Sequence, residues 1–386
     1  MRNAVLPDGR YPSFNDLRKL AKKRTPHFAF EYLDSGTGGE QAKARNESDL
    51  DKIILTPEFM KGSFEPDTSV ELFGRQYTSP IGVSPVGMSS MMWPGAEQML
   101  AKMAGENGIP YCLSTVSGDR PEAVGPLAKG NAWFQLYAVR DKKIRDDMLK
   151  RAKDSGFSAL VVTVDVPVPS MRERQRRAGL EMPPTVNIKT AYQVATKPSW
   201  ALHTLKRGMP NFLTLMQYAE SKKLVDMASF VGEQLGNVLD WEYLKEVRAQ
   251  WDGPLILKGI LSVEDAKLAL KNGVDGIWVS NHGGRQLDGA PSSIEALPKI
   301  VDAMSGKTKI MFDSGIRSGL DIVRALRLGA DFVFAGRPFI YAVCAMGKNG
   351  AEHAHAIFST DLKNNMHQLG CRSLSDIQNV EFSIKS

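Results

Sequence analysis

Short apolar runs alternate with amphipathic stretches from residue 79 onward, and this alternation constrains the fold more than any other feature of the chain. Continuous apolar runs such as Leu160-Val161-Val162 are typical of parallel strands that are buried on both faces. A helical pattern follows nearly every run, with apolar residues recurring at the intervals of one helix face. The eight predicted strands cover residues 80–84, 109–114, 132–137, 159–165, 254–258, 276–280, 309–313 and 332–335.

Eight strand–helix units of this length fit a single (β/α)8 barrel, the TIM-barrel fold of the α/β class. A doubly wound Rossmann sheet is the alternative, but it requires a Gly-x-Gly-x-x-Gly turn after the first strand, and the sequence after Ser84 has none. We therefore predict one domain, residues 1–386. Its parts are an N-terminal cap over residues 1–78, a barrel over residues 79–386, and an insertion after strand four over residues 170–239.

Composition places the chain among ordinary globular proteins, with 42% hydrophobic and 24% charged residues. No apolar run approaches the length of a membrane span, and residues 1–24 lack the apolar run of a signal peptide. The three cysteines, Cys112, Cys344 and Cys371, are far apart and odd in number. That spacing indicates neither a disulfide framework nor a zinc site, so we expect a cytoplasmic protein without a metal.

The net charge of +6 is concentrated in one segment. Residues 171–224 contain ten Lys or Arg and three Glu, a balance of +7, so the rest of the chain sums to −1. No recognisable nucleic-acid motif accompanies this charge, and we expect no nucleic-acid partner. A basic surface favours contact with anionic lipid, the alternative being a solvated loop. The side chains expected to insert shallowly into a membrane are Trp200, Leu205, Phe212, Leu213 and Met216.

Polar residues stand where the predicted strands end. Active sites of TIM barrels form at the carboxyl ends of the strands, so these residues are expected to converge on one rim. They are Thr163 and Asp165 after strand four, Lys258 after strand five, Ser280, His282 and Arg285 after strand six, Asp313, Gly315 and Arg317 after strand seven, and Gly336 and Arg337 after strand eight.

Three of these features indicate specific chemistry. The Gly and Arg residues after strands seven and eight are typical of a phosphate site, the alternative being tight turns with surface charge. Lys258 would place a positive charge beside a cofactor that becomes anionic on reduction, unless it is simply an exposed lysine. His282 is a candidate general base that Asp165 would orient. The remaining histidines are expected on surfaces or in packing, and they are His27, His203, His353, His355 and His367.

The run Ser-Asn-His-Gly-Gly-Arg-Gln-Leu-Asp at residues 280–288 resembles the FMN-dependent 2-hydroxy-acid oxidase and dehydrogenase family. The resemblance extends from Ser13 to Ile377. Further matching blocks follow in the family's order, at residues 85–87, 113–115, 133–137, 163–165, 257–259 and 313–317.

The resemblance implies a role for each matching residue. His282 would accept a proton while Asp165 stabilises the imidazolium, and Tyr137 would bond the substrate oxygen. The substrate carboxylate would be bound by Tyr32, Arg285 and Arg172. FMN would be held around its ring and ribityl chain by Pro85, Val86, Gly87, Ser114, Gln135, Thr163, Lys258 and Ser280, and towards its phosphate by Asp313, Gly315, Arg317, Gly336 and Arg337.

The activity implied by the resemblance is oxidation of a small (S)-2-hydroxy acid, with electrons passed to a quinone or cytochrome. The wording of the blocks is most similar to the bacterial membrane-associated L-lactate dehydrogenases of the family, so L-lactate is the expected substrate. Gly87 agrees with this branch, since many oxidases of the family have Ala there. The same resemblance implies a homo-oligomer, tetramers being common in the family, bound peripherally to the cytoplasmic face of the inner membrane through residues 170–239.

Three alternatives remain open at this point. A soluble glycolate- or mandelate-type oxidase would use the same residues and pass electrons to oxygen. An FMN-dependent barrel isomerase would share the phosphate site but lack the set formed by Asp165, His282 and Arg285. A non-catalytic flavin-binding protein would not need the complete polar set. Substrate specificity is expected to depend on Met88, Val116 and Pro169.

Overall fold

Three helices and three short strands precede the barrel in the part of the chain that the computed structural model describes, residues 7–180, 188–236, 238–304 and 306–385. The first helix begins after Ser13, whose hydroxyl accepts a hydrogen bond from the backbone N–H of Asp16 and so caps the helix. These elements are α1 (Phe14–Arg24), α2 (His27–Asp34), α3 (Gln41–Asp51), β1 (Ile53–Leu55), β2 (Val70–Leu72) and β3 (Arg75–Tyr77).

Eight parallel strands, counted over the described residues, form the closed barrel and confirm all eight predicted strands and the predicted fold class. In the barrel their order is β10-β11-β4-β5-β6-β7-β8-β9, which is the chain order closed into a ring. The strands are β4 (Ile81–Val83), β5 (Tyr111–Ser114), β6 (Ala132–Leu136), β7 (Ala159–Thr163), β8 (Leu255–Ile260), β9 (Gly276–Val279), β10 (Lys309–Phe312) and β11 (Phe332–Ala335).

Helices connect and surround the strands. After β5 a short α-helix, Pro121–Val124, continues as a 3-10 turn, Gly125–Ala128, where Pro126 has no N–H to donate. A last strand, β12 (Phe382–Ile384), pairs with β1. The helices are α4 (Ser89–Met92), α5 (Ala96–Asn107), α6 (Pro121–Val124), α7 (Lys142–Asp154), α8 (Glu173–Arg177), α9 (Ile188–Ala195), α10 (Pro198–Arg207), α11 (Leu224–Gln234), α12 (Trp241–Gln250), α13 (Val263–Lys271), α14 (Ser293–Met304), α15 (Gly319–Arg327), α16 (Arg337–Met346) and α17 (Lys348–Gln368).

Large aromatic side chains fill the interior of the barrel towards the amino-terminal ends of its strands, which we call the bottom of the barrel. The ring centroids of Trp278 and Phe334 lie 4.0 Å apart. A Cβ atom at Gly82 in β4 would lie 2.5 Å from the ring of Phe334, so only glycine leaves room for that ring. Below them Tyr77, from the β2–β3 hairpin, accepts a hydrogen bond from the indole N–H of Trp133 at 3.2 Å. The amino-terminal end of the barrel is therefore closed by the hairpin, and open space is left at the other end.

The insertion after β7 contains helices α8 to α11, and residues 181–187 within it lie outside the described residues. The prediction that Trp200 and Phe212 insert into a membrane is wrong, because both side chains are buried inside the protein. Trp200 is 2% exposed and donates its indole N–H to the carbonyls of Met91 and Met92. Leu213 and Met216 are half-buried, whereas Leu205 is 82% exposed as predicted.

A different apolar set is exposed on the insertion. A helix buries only the face that meets a neighbour, and the sequence does not say which face that is. No helix within the described residues is long and apolar enough to cross a bilayer. The exposed apolar side chains of α9, α10 and the following turn are Ile188, Tyr192, Leu202, Leu205 and Met209.

The basic excess of the insertion is partly neutralised inside the protein. Arg174 in α8 forms ion pairs with Glu31, Asp34 and Glu40 at 2.5–2.8 Å. Arg207 in α10 pairs with Asp119 at 2.9 Å. Because these carboxylates lie outside the insertion, the balance of +7 overstates the charge that the segment offers to a membrane.

Candidate active site

A layer of polar side chains lies directly above the aromatic interior. Each of its members follows an inward-facing apolar residue by two positions, which is the period at which strand side chains return to one face. All strands are parallel, so these second positions meet at the same end of the barrel. The apolar and polar pairs are Cys112 and Ser114, Trp133 and Gln135, Val161 and Thr163, Ile256 and Lys258, Trp278 and Ser280, and Met311 and Asp313.

Lys258 is the fixed positive charge of this layer. Its ammonium donates to the hydroxyl of Ser280 at 2.8 Å and pairs with the carboxylate of Asp313 at 3.1 Å. The same group lies 5.2 Å from the ring centre of Trp278. The side chain is buried, which rules out the exposed-lysine alternative, and a buried charge of this kind requires such partners.

Two neighbouring side chains have polar atoms without a partner. Ser114 donates its hydroxyl to the amide oxygen of Gln135 at 3.0 Å, but the Gln135 amide nitrogen is buried and unbonded among the described residues. The buried hydroxyl of Thr163 is unbonded as well. Buried polar groups are rarely left unpaired, so this floor is suited to a ligand with a polar edge.

A bulge in β8 makes room for the carboxylate of Asp165. Gly259, between Lys258 and Ile260, interrupts the regular register with β9 and has φ +104°. A Cβ atom at this glycine would lie 2.6 Å from the side chain of Asp165. Glycine at 259 therefore permits both the backbone conformation and the close approach of the carboxylate.

His282 lies on the rim, and its Nδ1 atom is 2.8 Å from Oδ1 of Asp165. The residue adopts the left-handed conformation, φ +58°, which is uncommon outside glycine and holds the ring against the carboxylate. Burial lowers the pKa of His282, although Asp165 acts to raise it. Burial alone would raise the pKa of Asp165, but His282 and Lys258 hold it below its usual range. The pair is thus a neutral imidazole beside a carboxylate.

Among the described residues, five arginines line the same cavity, and they include Arg172, Arg285 and Arg337. Burial, with repulsion from Arg172 and Arg337, lowers the pKa of Arg285 well below its usual range. Arg285 donates to the carbonyls of Tyr32 and Ser35 and lies 5.2 Å from the ring centre of Tyr32. Like charges that repel one another at a half-buried cavity wall indicate a site that is stabilised by an anion.

Arg172 is oriented by residues that the sequence analysis missed. Its guanidinium donates to the hydroxyl of Ser170 at 3.1 Å and to the amide oxygen of Gln286 at 2.9 Å. Ser170 also donates to the carbonyl of Arg285, so it connects the two arginines. The only signal in the sequence was that Gln286 follows Arg285. Ser170 and Gln286 contact each other across 116 residues of chain, so no local pattern indicates that contact.

The cavity above this layer has a volume of about 730 Å³. Asp165 lies behind His282 rather than on the cavity wall, and Ser114, Gln135 and Ser280 lie beneath the lining residues. Of the three predicted specificity residues, Val116 and Pro169 line the cavity and Met88 does not. The predicted site residues on the wall are Tyr32, Pro85, Val86, Gly87, Tyr137, Thr163, Arg172, Lys258, His282, Arg285, Asp313, Gly315, Arg317, Gly336 and Arg337.

The insertion supplies part of the wall that the sequence did not predict. Phe212, Val231 and Leu235 line the cavity opposite the strand ends. They come from segments that have neither the strand pattern nor a recognisable motif, so their position in the wall is evident only from the tertiary packing. The insertion therefore covers the site as well as contributing Arg172.

The predicted phosphate end is formed by the β10 and β11 loops. Gly315 has φ +99°, and a Cβ atom there would collide with the backbone of Asn46. Arg317 pairs with Glu47 at 2.9 Å. Arg337 donates to the carbonyls of Leu33, Ser35 and Gly283, which leaves two of its five N–H donors for a ligand. Gly336 is the N-cap of α16, so the helix dipole adds to this positive end.

Comparison with known proteins agrees with the arrangement. The family model of the FMN-dependent dehydrogenases matches residues 21–383. The L-lactate dehydrogenase of Haemophilus influenzae (strain PittEE) is 42% identical over 368 residues, which cover 95% of this chain and 96% of that protein. The L-lactate dehydrogenase of Vibrio cholerae serotype O1 (strain M66-2) is 42% identical over 364 residues, 94% of this chain and 96% of that protein.

Solved structures show the same likeness. The monotopic membrane protein (S)-mandelate dehydrogenase has a crystal structure that superposes with a TM-score of 0.92 at 30% sequence identity. The superposition covers 98% of this chain and 100% of the other. The barrel, the cap and the insertion therefore all have counterparts in a solved structure.

Proposed function

The chain belongs to the FMN-dependent dehydrogenase family, and on that premise we propose that the protein oxidises L-lactate to pyruvate. The observation that carries the proposal is the pairing of His282 with Asp165 at 2.8 Å, in a cavity that also holds Arg285 and Arg172. A 2-hydroxy acid presents a carboxylate for the guanidiniums and a hydroxyl-bearing carbon for the base. The relatives that are 42% identical are named L-lactate dehydrogenases, which supports lactate over larger acids.

FMN fits the residues present. The unpartnered amide nitrogen of Gln135 and hydroxyl of Thr163 suit the polar edge of a flavin ring, with Lys258 beside them. The backbone at residues 85–87, with Ser114 and Ser280, would support the ring, and the phosphate end would be held by Asp313, Gly315, Arg317, Gly336 and Arg337. When bound, the flavin supplies the two-electron acceptor for the substrate carbon.

His282 is the proposed general base. Its Nδ1 atom faces Asp165, so the proton on that nitrogen is held by the carboxylate and Nε2 is left to accept the substrate's proton. The lowered pKa keeps the imidazole neutral before the reaction. Asp165 then stabilises the imidazolium that forms, since its own lowered pKa keeps it ionised.

Tyr32, Arg172 and Arg285 would bind the substrate carboxylate, and Tyr137 would donate to its oxygen. Burial, with Asp165 nearby, raises the pKa of Tyr137, so the phenol stays protonated and can act as a donor. Arg285 and Arg172 are half-buried and repel each other, and an anionic substrate would relieve this repulsion. The same four residues would therefore both bind the substrate and orient it.

A quinone or cytochrome is the proposed electron acceptor, and the cytoplasmic face of the inner membrane is the proposed location. Support comes from the likeness to a monotopic membrane protein and from the exposed apolar side chains of α9 and α10. Gly87 supports the dehydrogenase branch, because many oxidases of the family have Ala at this position. A Cβ atom there would lie 2.6 Å from the side chain of Val116. A homo-oligomer stays a prediction of the sequence.

The function is tested by mixing the purified protein with L-lactate without oxygen. We expect bleaching of the flavin absorbance, formation of pyruvate, and release of FMN on denaturation, identified by mass spectrometry. D-Lactate is the matched control and should leave the flavin oxidised. Faster bleaching by glycolate or (S)-mandelate would contradict the lactate assignment, and recovery of FAD or of no flavin would contradict the cofactor assignment.

The electron acceptor is tested separately on the same enzyme. Reduction of a quinone or an artificial dye should be much faster than production of peroxide from oxygen. Comparable rates would place the protein with the soluble oxidases.

A further inference from the structure

A second cavity, of about 340 Å³, lies away from the strand ends. It is bounded by the end of α1, by α10 of the insertion and by the junction of α16 and α17. We call it the α17 pocket. Its lining residues are Arg24, Trp93, Met99, His203, Met346, Gly347, Lys348 and Asn349. Among these described residues there is no Asp or Glu, while there are two permanent cations and one imidazole.

The indole N–H of Trp93 is an unused donor in this pocket. The side chain is 1% exposed, and its Nε1 atom has no hydrogen-bond partner among the described residues. A Cβ atom at Gly347 would lie 3.8 Å from that nitrogen, so the N–H faces the α16–α17 junction. A buried donor without a partner costs free energy unless something occupies the site.

Arg24 adds a second unused donor. Its guanidinium lies 5.0 Å from the ring centre of Trp93, and its buried Nε atom has no hydrogen-bond partner in the part of the chain that the structure describes. Its hydrogen bond is a long one, 3.4 Å, to the hydroxyl of Ser199. By contrast, Arg207 in α10 forms an ion pair with the carboxylate of Asp119 at 2.9 Å. No carboxylate among the described residues forms an ion pair with Arg24, whose guanidinium lies over the ring of Trp93.

The amino end of α17 completes the donor set. This helix has 21 residues, and its N-cap, Gly347, provides no side chain to cap the first backbone N–H groups. Lys348 stands in the first turn, where a cation is disfavoured by the helix dipole. An anion in the pocket would remove both unfavourable features.

We propose that the α17 pocket binds a phosphate group. Guanidinium, ammonium, indole N–H and helix amino end are all donors, and their summed positive charge selects an anion with several acceptor oxygens. The group could belong to a phospholipid headgroup or to a free phosphate compound. The exposed Leu202, Leu205 and Met209 on the neighbouring α10 and the turn after it would contact the acyl region in the first case.

The test uses the FMN-loaded protein and two probes. Inorganic phosphate is titrated by calorimetry, and vesicles of phosphatidylglycerol or of phosphatidylcholine are used in co-sedimentation. The pocket variant is Arg24→Gln with Lys348→Gln. The matched control is Lys19→Gln with Lys267→Gln, which removes the same charge from exposed positions of α1 and α13, outside both the pocket and the insertion. Trp93→Phe removes only the N–H and serves as a second pocket variant.

We expect the pocket variant to weaken binding at least about tenfold, with the control near the unmodified protein. If the pocket variant loses binding to phosphatidylglycerol vesicles, and inorganic phosphate competes with these vesicles for the unmodified protein, the bound group is a phospholipid headgroup. Loss of phosphate binding with unchanged vesicle binding supports a free phosphate compound. Equal effects of the pocket and control variants on both probes overturn the proposal, as does the absence of binding by the unmodified protein. Turnover with L-lactate is not a readout, so the result is independent of the proposed function.

Discussion

The rim of the barrel and the insertion differ in how well the position of a residue in the sequence predicts where its side chain lies. At the rim, His282, Lys258 and Asp313 lie where the strand pattern places them. In the insertion, Trp200 is buried and Leu205 is exposed, although both lie on the same helix, α10. The difference shows that a strand in a closed barrel specifies the direction of each side chain, whereas a helix on a surface does not.

A barrel strand has two sides with fixed neighbours, the interior and the surrounding helices. Because side chains alternate between these two sides, the position of a residue in the strand determines which side its side chain faces. A surface helix can rotate about its axis to bury any apolar stripe that a neighbour accepts. In the insertion, Arg174 also points inward and pairs with three carboxylates. A count of charges along the sequence treats this arginine as surface charge.

The largest expected effect is at the rim. His282→Gln should keep FMN bound but lower turnover by about 10²–10⁴-fold, the usual contribution of a general base. The measurement is the rate of flavin reduction by L-lactate under anaerobic conditions, with His367→Gln as the exposed control. Flavin reduction at the normal rate in the His282 variant would show that proton abstraction occurs elsewhere.

A smaller effect is expected behind the rim, at Asp165. Asp165→Asn should lower the maximal kcat/KM by about tenfold to hundredfold, because a charged partner of the imidazolium is lost. The carboxylate raises the pKa of His282, so its removal should lower that pKa further. The acid limb of kcat/KM, where the protonated base is inactive, should therefore move to lower pH.

The pH profile separates this role from simple unfolding. Asp252→Asn, at an exposed carboxylate that pairs with Lys153, is the matched control and should leave the profile unchanged. A shift of the acid limb to higher pH in the Asp165 variant would contradict the assigned direction of the interaction.

The smallest effect is expected on the insertion. Ile188→Ser with Leu205→Ser should weaken binding to phosphatidylglycerol vesicles about tenfold, since two exposed apolar side chains lose shallow burial. Ile54→Ser with Ile384→Ser removes two exposed apolar side chains, 47% and 61% exposed, from the β1–β12 pair and should have no effect. Co-sedimentation at low and high salt provides the measurement. If the two double variants bind alike, the exposed face of α9 and α10 is not the membrane contact.

Much of the active site was predictable because its residues lie at strand ends or in motifs. Lys258 and Asp165 were both identified, but the bulge at Gly259 that makes room for Asp165 was not, because the strand was predicted to end at residue 258. The partners of Arg172 were missed for a related reason. Ser170 and Gln286 meet that guanidinium only because the insertion folds back over the β9 loop.

The sequence by itself determined the eight-stranded barrel and the polar layer at its carboxyl end. Polar residues that follow apolar ones by two positions on successive parallel strands meet at the carboxyl end once those strands close into a barrel. The tertiary structure alone decided which faces of α9 and α10 are exposed, and that Arg174 and Arg207 turn towards protein carboxylates. It also brought Arg24, Trp93 and Lys348 to one pocket. These outcomes depend on which surfaces meet across long stretches of chain, and local periodicity contains no information about that.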